Sequence, residues 1–480
     1  MGQAGRVIVV GAGISGLSVA WWLHRAGMSL TILEKDNLPG GTMRTVHDGE
    51  WLVEAGPNSA LETTPLFGEM FEALGIAGER CYAHESSGNR YILRDGRLNA
   101  LPMSLGAFLT SRLWSIGGKL RLLREPFVGR AVEEETIADF VRRRLGGEFL
   151  DYAINPFVAG VYAGNPEQLS VRAAFPKLYA LEEKYGGLIT GMLRGAKERK
   201  QRAETAKDRA KMFSFLQGMQ TFPDAIGREL AGAVQLNCEV RSIKRNAAKL
   251  GTNNGGSNFV VSYQSNGGMR QLGAEFLVLA VPSYHASRLV HDFSARLATL
   301  LDGVYYPPVA EVFLGFRTGQ CGIPLNGFGY LVPEKEGRKI LGTIWSSSLF
   351  PDRAPKDHIA LTTFVGGSRQ PELAALDHEA LVEMVVSELR SIMAITGEPV
   401  FVKAMRWDKA IPQYSLGYHK LYEEIDRLES SNPGFFICSN YRGGIAVGDC
   451  VMNARRIADR VLQAASELPE GERAGVRVVH

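Results

Sequence analysis

Residues 6–34 read RVIVVGAGISGLSVAWWLHRAGMSLTILE, and this stretch decides the fold. Its first five residues (RVIVV) are a β-branched run suited to a parallel strand buried on both faces. Gly11-Ala-Gly13-Ile-Ser-Gly16 follows directly, and a helical pattern then runs to Ala26. Gly27 ends that helix, residues 29–33 (SLTIL) form the next strand, and Glu34 closes it 18 residues after Gly16. Strand, glycine turn, helix, strand and acid in this order describe a dinucleotide-binding unit, a far more specific signal than glycine spacing alone. Each residue has a physical task. Gly11 permits the tight turn, Gly13 lets backbone N–H groups approach a pyrophosphate, and Gly16 allows close helix–strand packing. The helix N-terminus then turns its partial positive charge toward the phosphates. The Glu34 carboxylate can accept both hydroxyl hydrogens of an adenosine ribose, and its charge repels a 2′-phosphate.

The residues just downstream narrow the choice of dinucleotide. Pro39-Gly40-Gly41-Thr42-Met43-Arg44-Thr45 comes soon after Glu34, and Glu54-Ala-Gly56-Pro57-Asn58-Ser59 follows. This spacing resembles the FAD-binding fingerprint of the amine oxidase and phytoene desaturase superfamily, in which a second glycine pair runs beside the flavin's ribityl chain. A nicotinamide enzyme would ordinarily continue here into its next βα unit. FAD is therefore favoured over NAD.

The chain has 480 residues, 45% hydrophobic and 22% charged, with 54 Lys and Arg against 51 Asp and Glu. That length suggests two or three domains with ample core, and the composition excludes a disordered, collagen-like or disulfide-scaffold protein. A net charge of +3 argues against a nucleic-acid partner held by bulk charge. The five cysteines are odd in number and widely spaced, with no CxxC pair and no zinc spacing, so neither a disulfide framework nor a metal is expected. The apolar stretch 7–23 is marginal for a bilayer and carries three spaced glycines, which argues against a signal peptide or membrane span. Met1-Gly2 resembles a myristoylation start, but Arg6 sits where Ser or Thr is needed. A cytoplasmic location is expected, with room for peripheral contact at the inner face of a membrane.

Further pieces of the cofactor domain are expected along the chain. Residues 234–243 (VQLNCEVRSI) read as one strand placing Val240 near the adenine, 253–256 as a hairpin-like turn, and 258–263 as an alternating strand. Residues 274–281 (AEFLVLAV) read as a buried strand ending at Pro282. Residues 435–438 form another strand, which runs through Gly443-Gly444-Ile445-Ala446-Val447 into a helix from Met452. Residues 102–211 carry long helical patterns, of which 104–124 mixes apolar side chains with Arg112, Lys119, Arg121 and Arg124. Such a face suits either an interfacial helix on anionic lipid or a surface helix on its own core. The basic stretch 194–211 reads as a solvated helix or loop. Residues 291–403 alternate strands (309–316, 359–365) with helices (378–395).

At this point the sequence resembles the protoporphyrinogen oxidases. Asn155-Pro-Phe-Val-Ala-Gly-Val-Tyr162-Ala-Gly164-Asn-Pro-Glu-Gln-Leu-Ser170 is similar to a signature of that family. So are Phe175-Pro-Lys-Leu, Glu182-Glu-Lys-Tyr-Gly-Gly-Leu-Ile-Thr-Gly191-Met, Arg406-Trp407 with Pro412-Gln413-Tyr414, and Ile445-Ala-Val-Gly-Asp-Cys450. The resemblance covers essentially the whole chain. It implies an α/β protein in which a discontinuous Rossmann-like FAD-binding domain (1–84, 213–290, 404–480) joins two others. These are an α+β substrate domain (85–101, 190–212, 291–403) and a helical, membrane-associating domain (102–189). It implies a haem-pathway enzyme that oxidises protoporphyrinogen IX to protoporphyrin IX in three two-electron steps, with FAD accepting hydride at N5 and molecular oxygen reoxidising it. Coproporphyrinogen III oxidase is the close alternative, although Glu182-Glu-Lys-Tyr-Gly-Gly tilts toward protoporphyrinogen. The resemblance leaves open a homodimer and handover of product to ferrochelatase.

Site residues carry over in the same way. A porphyrinogen needs an apolar pocket with one or two orienting cations. Arg90, in Asn89-Arg90, matches an arginine that approaches a propionate, and Leu331 and Phe364 match positions that sandwich the macrocycle. The expected cofactor contacts are Gly11, Gly13, Ile14, Ser15, Gly16, Glu34, Lys35, Gly41, Thr42, Gly56, Pro57, Asn58, Ser59, Val240, Trp407, Ile445, Ala446 and Val447. Two departures matter: Thr42 stands where a longer side chain is common, and Asn58 where some relatives carry arginine. No general base is assigned, because flanking pyrrole nitrogens assist hydride loss and positioning against flavin N5 is the protein's expected part. Flavin amine oxidases are a competing class, but residues 443–447 offer no aromatic for their cage. Phytoene-type desaturases share only the N-terminal fingerprint. A non-catalytic FAD or porphyrin carrier would differ in leaving the flavin yellow when mixed anaerobically with a porphyrinogen.

Overall fold

A computed structural model describes residues 6–194, 210–245 and 258–467. The turn expected at 253–256 and most of the basic stretch 194–211 lie outside the described residues.

Strand β1 (Arg6–Val10), helix α1 (Ile14–Arg25) and strand β2 (Ser29–Leu33) follow the reading of residues 6–34 closely. They join β3 (Val234–Gln235), β4 (Phe276–Leu279) and β5 (Phe435–Ile437) in a five-stranded sheet of order β3-β2-β1-β4-β5. All four pairings are parallel. This is the strand order of a doubly wound nucleotide-binding sheet. The apolar run at 7–23 is explained by where it lies. β1 is central, and α1 packs against the C-terminal helix α2 (Val447–Ser466) and the helix Thr221–Glu229, so almost all its side chains are buried.

Several elements differ from the sequence reading. Residues 234–243 are two strands in different sheets, because Asn237 adopts a left-handed conformation between them. The second piece, Glu239–Arg245, pairs with Phe259–Ser265 and Gly268–Ala274 in an antiparallel three-stranded sheet. Residues 274–281 likewise split between that sheet and β4. α2 starts at Val447, earlier than Met452, directly after two glycines with positive φ. The helical pattern at 104–124 is not continuous: Leu105–Thr110 and Ile116–Arg121 are separate helices, each started by a serine (Ser104, Ser115) whose hydroxyl caps the first turn.

A second, seven-stranded sheet runs Phe401–Trp407, Val309–Arg317, His358–Gly366, Gly342–Ile344, Gly329–Leu331, Arg90–Arg94, Arg97–Ala100. Alternation along Val309–Arg317, its second strand, separates two faces. Ala310, Val312, Leu314 and Phe316 pack against Leu381, Val385 and Leu389 of the helix His378–Met393. Each such fully buried side chain contributes about 1.5–3 kcal/mol relative to exposure. The opposite face, bearing Val309, Glu311 and Phe313, looks back toward the first sheet.

Among the helices of residues 102–194, a buried ion triad sets the packing. The Arg144 guanidinium is fully buried and donates to Glu125 Oε1 (2.8 Å), Glu182 Oε2 (2.7 Å) and the Gly186 carbonyl (2.9 Å). Glu125 also accepts from the amides of Leu188 and Ile189. The stretch Glu182-Glu-Lys-Tyr-Gly-Gly-Leu-Ile is thus one face of a charge lock. Arg144→Ala leaves the buried Glu125 carboxylate without its cation, while Glu182 keeps only Arg143 (3.0 Å), and should cost about 3–5 kcal/mol. It is expected to lower the thermal midpoint and open residues 122–194 to protease while the FAD content of the purified protein is kept. Unchanged melting would refute this account.

Candidate active site

The β1–α1 turn is built from close approaches. At Gly16 any Cβ would fall inside the van der Waals shell of the Gly11 carbonyl, and Gly11 itself has φ +102°. Gly13 differs: a Cβ there meets nothing within 4 Å. Its residue caps α1 without a side-chain hydrogen bond, so the first-turn amides stay open. The buried Glu34 carboxylate accepts from Ala12 N (2.6 Å) and Asp36 N (2.9 Å), which fixes it at the mouth of the turn with lone pairs to spare. Lys35 is exposed beside it. Cys238 N donates to Glu34 O (2.7 Å), which brings Val240 to the same edge. Gly40 N donates to Ala12 O (2.8 Å), so Gly41 and Thr42 lie alongside Gly13, Ile14 and Ser15. Gly56 packs on the Thr42 carbonyl, followed by Pro57, Asn58 and Ser59, with the Asn58 amide donating to Gly56 O (3.1 Å). At the other end of the chain, Ala446 caps α2 with no side-chain bond, flanked by Ile445 and Val447. Two uncapped helix N-termini therefore meet beside one glycine-lined channel.

Beyond this channel stands the face of the seven-stranded sheet. Its register aligns Leu331, Gly342, Phe364, Glu311 and Met405 in one cross-strand row, with Gly366, Val309 and Trp407 in the next. The Trp407 indole N–H is buried without a hydrogen-bond partner. Above the row lies the helix Asn155–Tyr162. A Cβ on Gly160 would reach within 2.5 Å of the Leu331 side chain, so this glycine lets the helix settle on the sheet. Asn155 locks the contact, donating to Glu334 Oε2 (3.0 Å) and accepting from Glu334 N (3.0 Å) and Arg369 (2.9 Å). The scattered signatures converge here. Gln413 donates to Tyr162 O (2.8 Å), Ser170 N to Tyr414 O (2.8 Å), Ser368 N to Ala163 O (2.7 Å), and the Tyr414 hydroxyl to Asn440 O. Arg90 starts the strand beside Leu331 and lies over the Phe328 ring, with no carboxylate partner among the described residues.

Between channel and sheet lies a small cleft lined by Leu52, Glu54, Asn58, Phe313, Ser346 and Arg353. Burial lifts the Glu54 carboxyl to about 7, against the pull of Arg353 and of hydrogen bonds from Thr45 and Met219. Glu311 is pushed well above the usual carboxylate range by its burial and by the charge of Glu54. Arg353 is 2% exposed and donates to Ser214 Oγ (2.9 Å) and Phe215 O (3.1 Å), 3.8 Å from Glu54 Oε1.

The flavin containing amine oxidoreductase family matches residues 14–462. Protoporphyrinogen oxidase 2 of Arabidopsis thaliana is 33% identical across 95% of this chain and 94% of its own length. The chain belongs to the flavin containing amine oxidoreductases, in their protoporphyrinogen oxidase branch. Coproporphyrinogen III oxidase of Bacillus subtilis is 25% identical across 93% of this chain and 95% of its own. A reduced UDP-galactopyranose mutase shares the fold, with a TM-score of 0.73 and 17% identity over 98% of this chain and 96% of that one.

This member is an FAD-dependent oxidoreductase, and the residues fit the cofactor. The open space at Gly13 and the two uncapped helix N-termini suit a pyrophosphate, and Glu34 suits a ribose. The contacts above gather Gly11, Gly13, Gly16, Glu34, Gly41, Thr42 and Gly56 around the β1–α1 turn, and the sheet register sets Leu331 and Phe364 in one row. Sequence reading missed Glu311 and Arg353. A signal for Glu311 was present: it is the one acid in a nine-residue strand otherwise buried and apolar up to Arg317. Arg353 sits in a turn-rich segment and offered none. The glycines give a paired test. Gly13→Ala is expected to keep the apoprotein's thermal midpoint but weaken FAD binding at least about tenfold, whereas Gly16→Ala should lower the apoprotein's stability itself. Titration of each apoprotein with FAD, beside its melting curve, checks both; equal behaviour of the two variants would refute the assignment.

Proposed function

We propose that this enzyme oxidises protoporphyrinogen IX to protoporphyrin IX, with oxygen as the final electron acceptor. The observation that carries the reading is the apolar row of Leu331 and Phe364 under the helix Asn155–Tyr162, edged by Arg90, which has no carboxylate partner among the described residues. An uncharged macrocycle with propionates on one edge matches that arrangement. Bound FAD supplies the two-electron acceptor. The protein's own residues do the rest: Leu331 and Phe364 hold the ring flat, Arg90 takes a propionate bidentately, and the helix roof excludes water. The Asn155 clamp keeps that roof at a fixed height. In this reading residues 1–84, 213–290 and 404–480 bind FAD, 85–101, 190–212 and 291–403 bind substrate, and 102–189 face a membrane.

The last point rests on a surface. Met103, Leu105, Leu109, Ile116, Leu120, Leu123 and Phe127 are each 58% exposed or more. No helix among the described residues is long and apolar enough to cross a membrane. Exposed apolar side chains gathered in one stretch of chain, with the exposed Arg112 and Arg124 among them in sequence, suit shallow insertion into anionic lipid.

Coproporphyrinogen III is the second reading, favoured by the Bacillus subtilis relative. Initial rates on the two porphyrinogens, followed by porphyrin fluorescence with peroxide release, are expected to favour protoporphyrinogen IX. A higher kcat/KM on coproporphyrinogen III would overturn the first reading. Arg90→Ala should raise KM by about ten- to a hundredfold with kcat little changed, the loss of one charge-assisted pair. Vesicles containing anionic lipid should sediment the wild-type protein, and Leu105→Glu with Ile116→Glu should abolish that without touching the rate on detergent-dispersed substrate.

A further inference from the structure

The strand Val309–Arg317 is buried along its first eight residues, and Glu311 is the one acid among them. Register pairs Glu311 with Phe364 on one side and Met405 on the other. Paired residues of neighbouring antiparallel strands share a face, with Cβ atoms about 5 Å apart. Phe364 packs with Ala159, Val309 and Leu341 beneath the helix Asn155–Tyr162, and Met405 with Val53 and Phe313 against the hairpin of residues 45–54. Glu311 therefore stands at the seam of two apolar clusters, 5% exposed. Its Oε2 is buried without a hydrogen-bond partner. An oxygen that gives up water and gains no partner is a standing cost, which a bound ligand with a hydrogen-bond donor removes.

We propose that Glu311 is a substrate-recognition residue whose idle carboxyl oxygen accepts a hydrogen bond from the pyrrole N–H groups at the centre of the macrocycle. This rests on the porphyrinogen reading above. Each pyrrole of a porphyrinogen carries an N–H donor, and these donors lose water when the ring is buried. Leu331 and Phe364 offer them no acceptor, and Arg90 at the edge has only donors of its own. Among the side chains of the row Leu331, Gly342, Phe364, Glu311 and Met405, Glu311 supplies the one oxygen. It lies four strands from Arg90 in the sheet, roughly 19 Å at about 4.8 Å per strand, so the two side chains reach the ring at different points, its centre and its edge. Burial and the charge of Glu54 push the Glu311 carboxyl well above the usual carboxylate range. A neutral carboxyl has both a C=O acceptor and an O–H donor. It takes an N–H of the reduced ring and gives its own O–H to an imine nitrogen of the oxidised one, with no charge added to an apolar site.

The test compares mesoporphyrin IX as the free base with its nickel(II) complex, which keeps the propionates but has no N–H groups. Titration calorimetry of the FAD-loaded wild-type enzyme should give the free base a Kd about tenfold lower than the nickel complex. Glu311→Leu should raise the Kd of the free base about tenfold and leave that of the nickel complex within about twofold, whereas Glu311→Gln, which keeps an acceptor, should recover most of the loss. On protoporphyrinogen IX, Glu311→Leu should raise KM with kcat little changed. A merely structural role would weaken both porphyrins alike. Equal weakening of the two by Glu311→Leu, or none, overturns the recognition role and leaves the substrate reading intact. Should Glu311→Leu not hold FAD, equal affinity of the wild type for the two porphyrins overturns that role on its own. A wild-type enzyme that oxidises no porphyrinogen overturns the substrate reading, and the recognition role falls with it.

Discussion

Helix α1 starts so close to the end of β1 that no side chain fits between Gly16 and the Gly11 carbonyl. Much of the architecture is a consequence of that contact. It aims the first-turn amides of α1 out of the sheet edge, where no side chain caps them. It also sets Ala12 N against Glu34, so the second strand must end with its acid at the turn. A helix start without its cap forgoes about 1 kcal/mol. The C-terminal helix repeats the sacrifice beside it, since Ala446 offers no side-chain acceptor either. Two helix dipoles with unsatisfied donors, converging on one channel, favour a bound anion over an empty groove. The polypeptide is therefore organised around a cofactor that its two ends grip together.

The second sheet depends on the first through one roof. The helix Asn155–Tyr162 can rest on Leu331 only because Gly160 has no side chain, and it keeps its height only because Asn155 is held on both of its polar atoms. The Gln413 side-chain amide donating to Tyr162 O, and the backbone bonds of Ser368 N to Ala163 O and Ser170 N to Tyr414 O, then tie that helix and the loop after it to distant segments. Motifs separated by more than two hundred positions are thus one mechanical unit. Their joint presence in a sequence reflects a single packing problem: seating the helix Asn155–Tyr162 on the apolar face of the second sheet.

What was legible in the sequence follows from how local each cause is. The strand–turn–helix–strand of residues 6–34 is specified by neighbours, and the structure reproduces it within a residue. The break at Asn237 was not legible, because a left-handed asparagine inside an apolar run looks like any other strand residue. The early start of α2 was hidden by Gly443 and Gly444, which weaken helical pattern while their positive φ values aim the helix. At 104–124 the apolar spacing suggested one long helix, but Ser111 and Ser115 interrupt it, and the side chains meant for a core stay exposed. Arg353 was unreadable for a different reason: a lone arginine in a turn acquires meaning only when Glu54, at the end of the strand Trp51–Glu54, is brought to 3.8 Å from it.

That arrangement also bears on why an apolar slot contains acids at all. An ionised carboxylate facing an uncharged ring would have to be stripped of water each time substrate entered, a penalty that grows as the dielectric falls. A neutral carboxylic acid carries much less of that penalty. Burial and the charge of Glu54 push the Glu311 carboxyl well above the usual carboxylate range, and the buried Arg353 lies 3.8 Å from Glu54. Charge that must be present at all times, on Arg90, is placed at the rim where water still reaches it. Polarity is thus graded: the Arg90 charge stands at the exposed edge, Glu311 lies buried in the apolar row with its carboxyl raised, and Glu54, raised to about 7, lies beside Arg353.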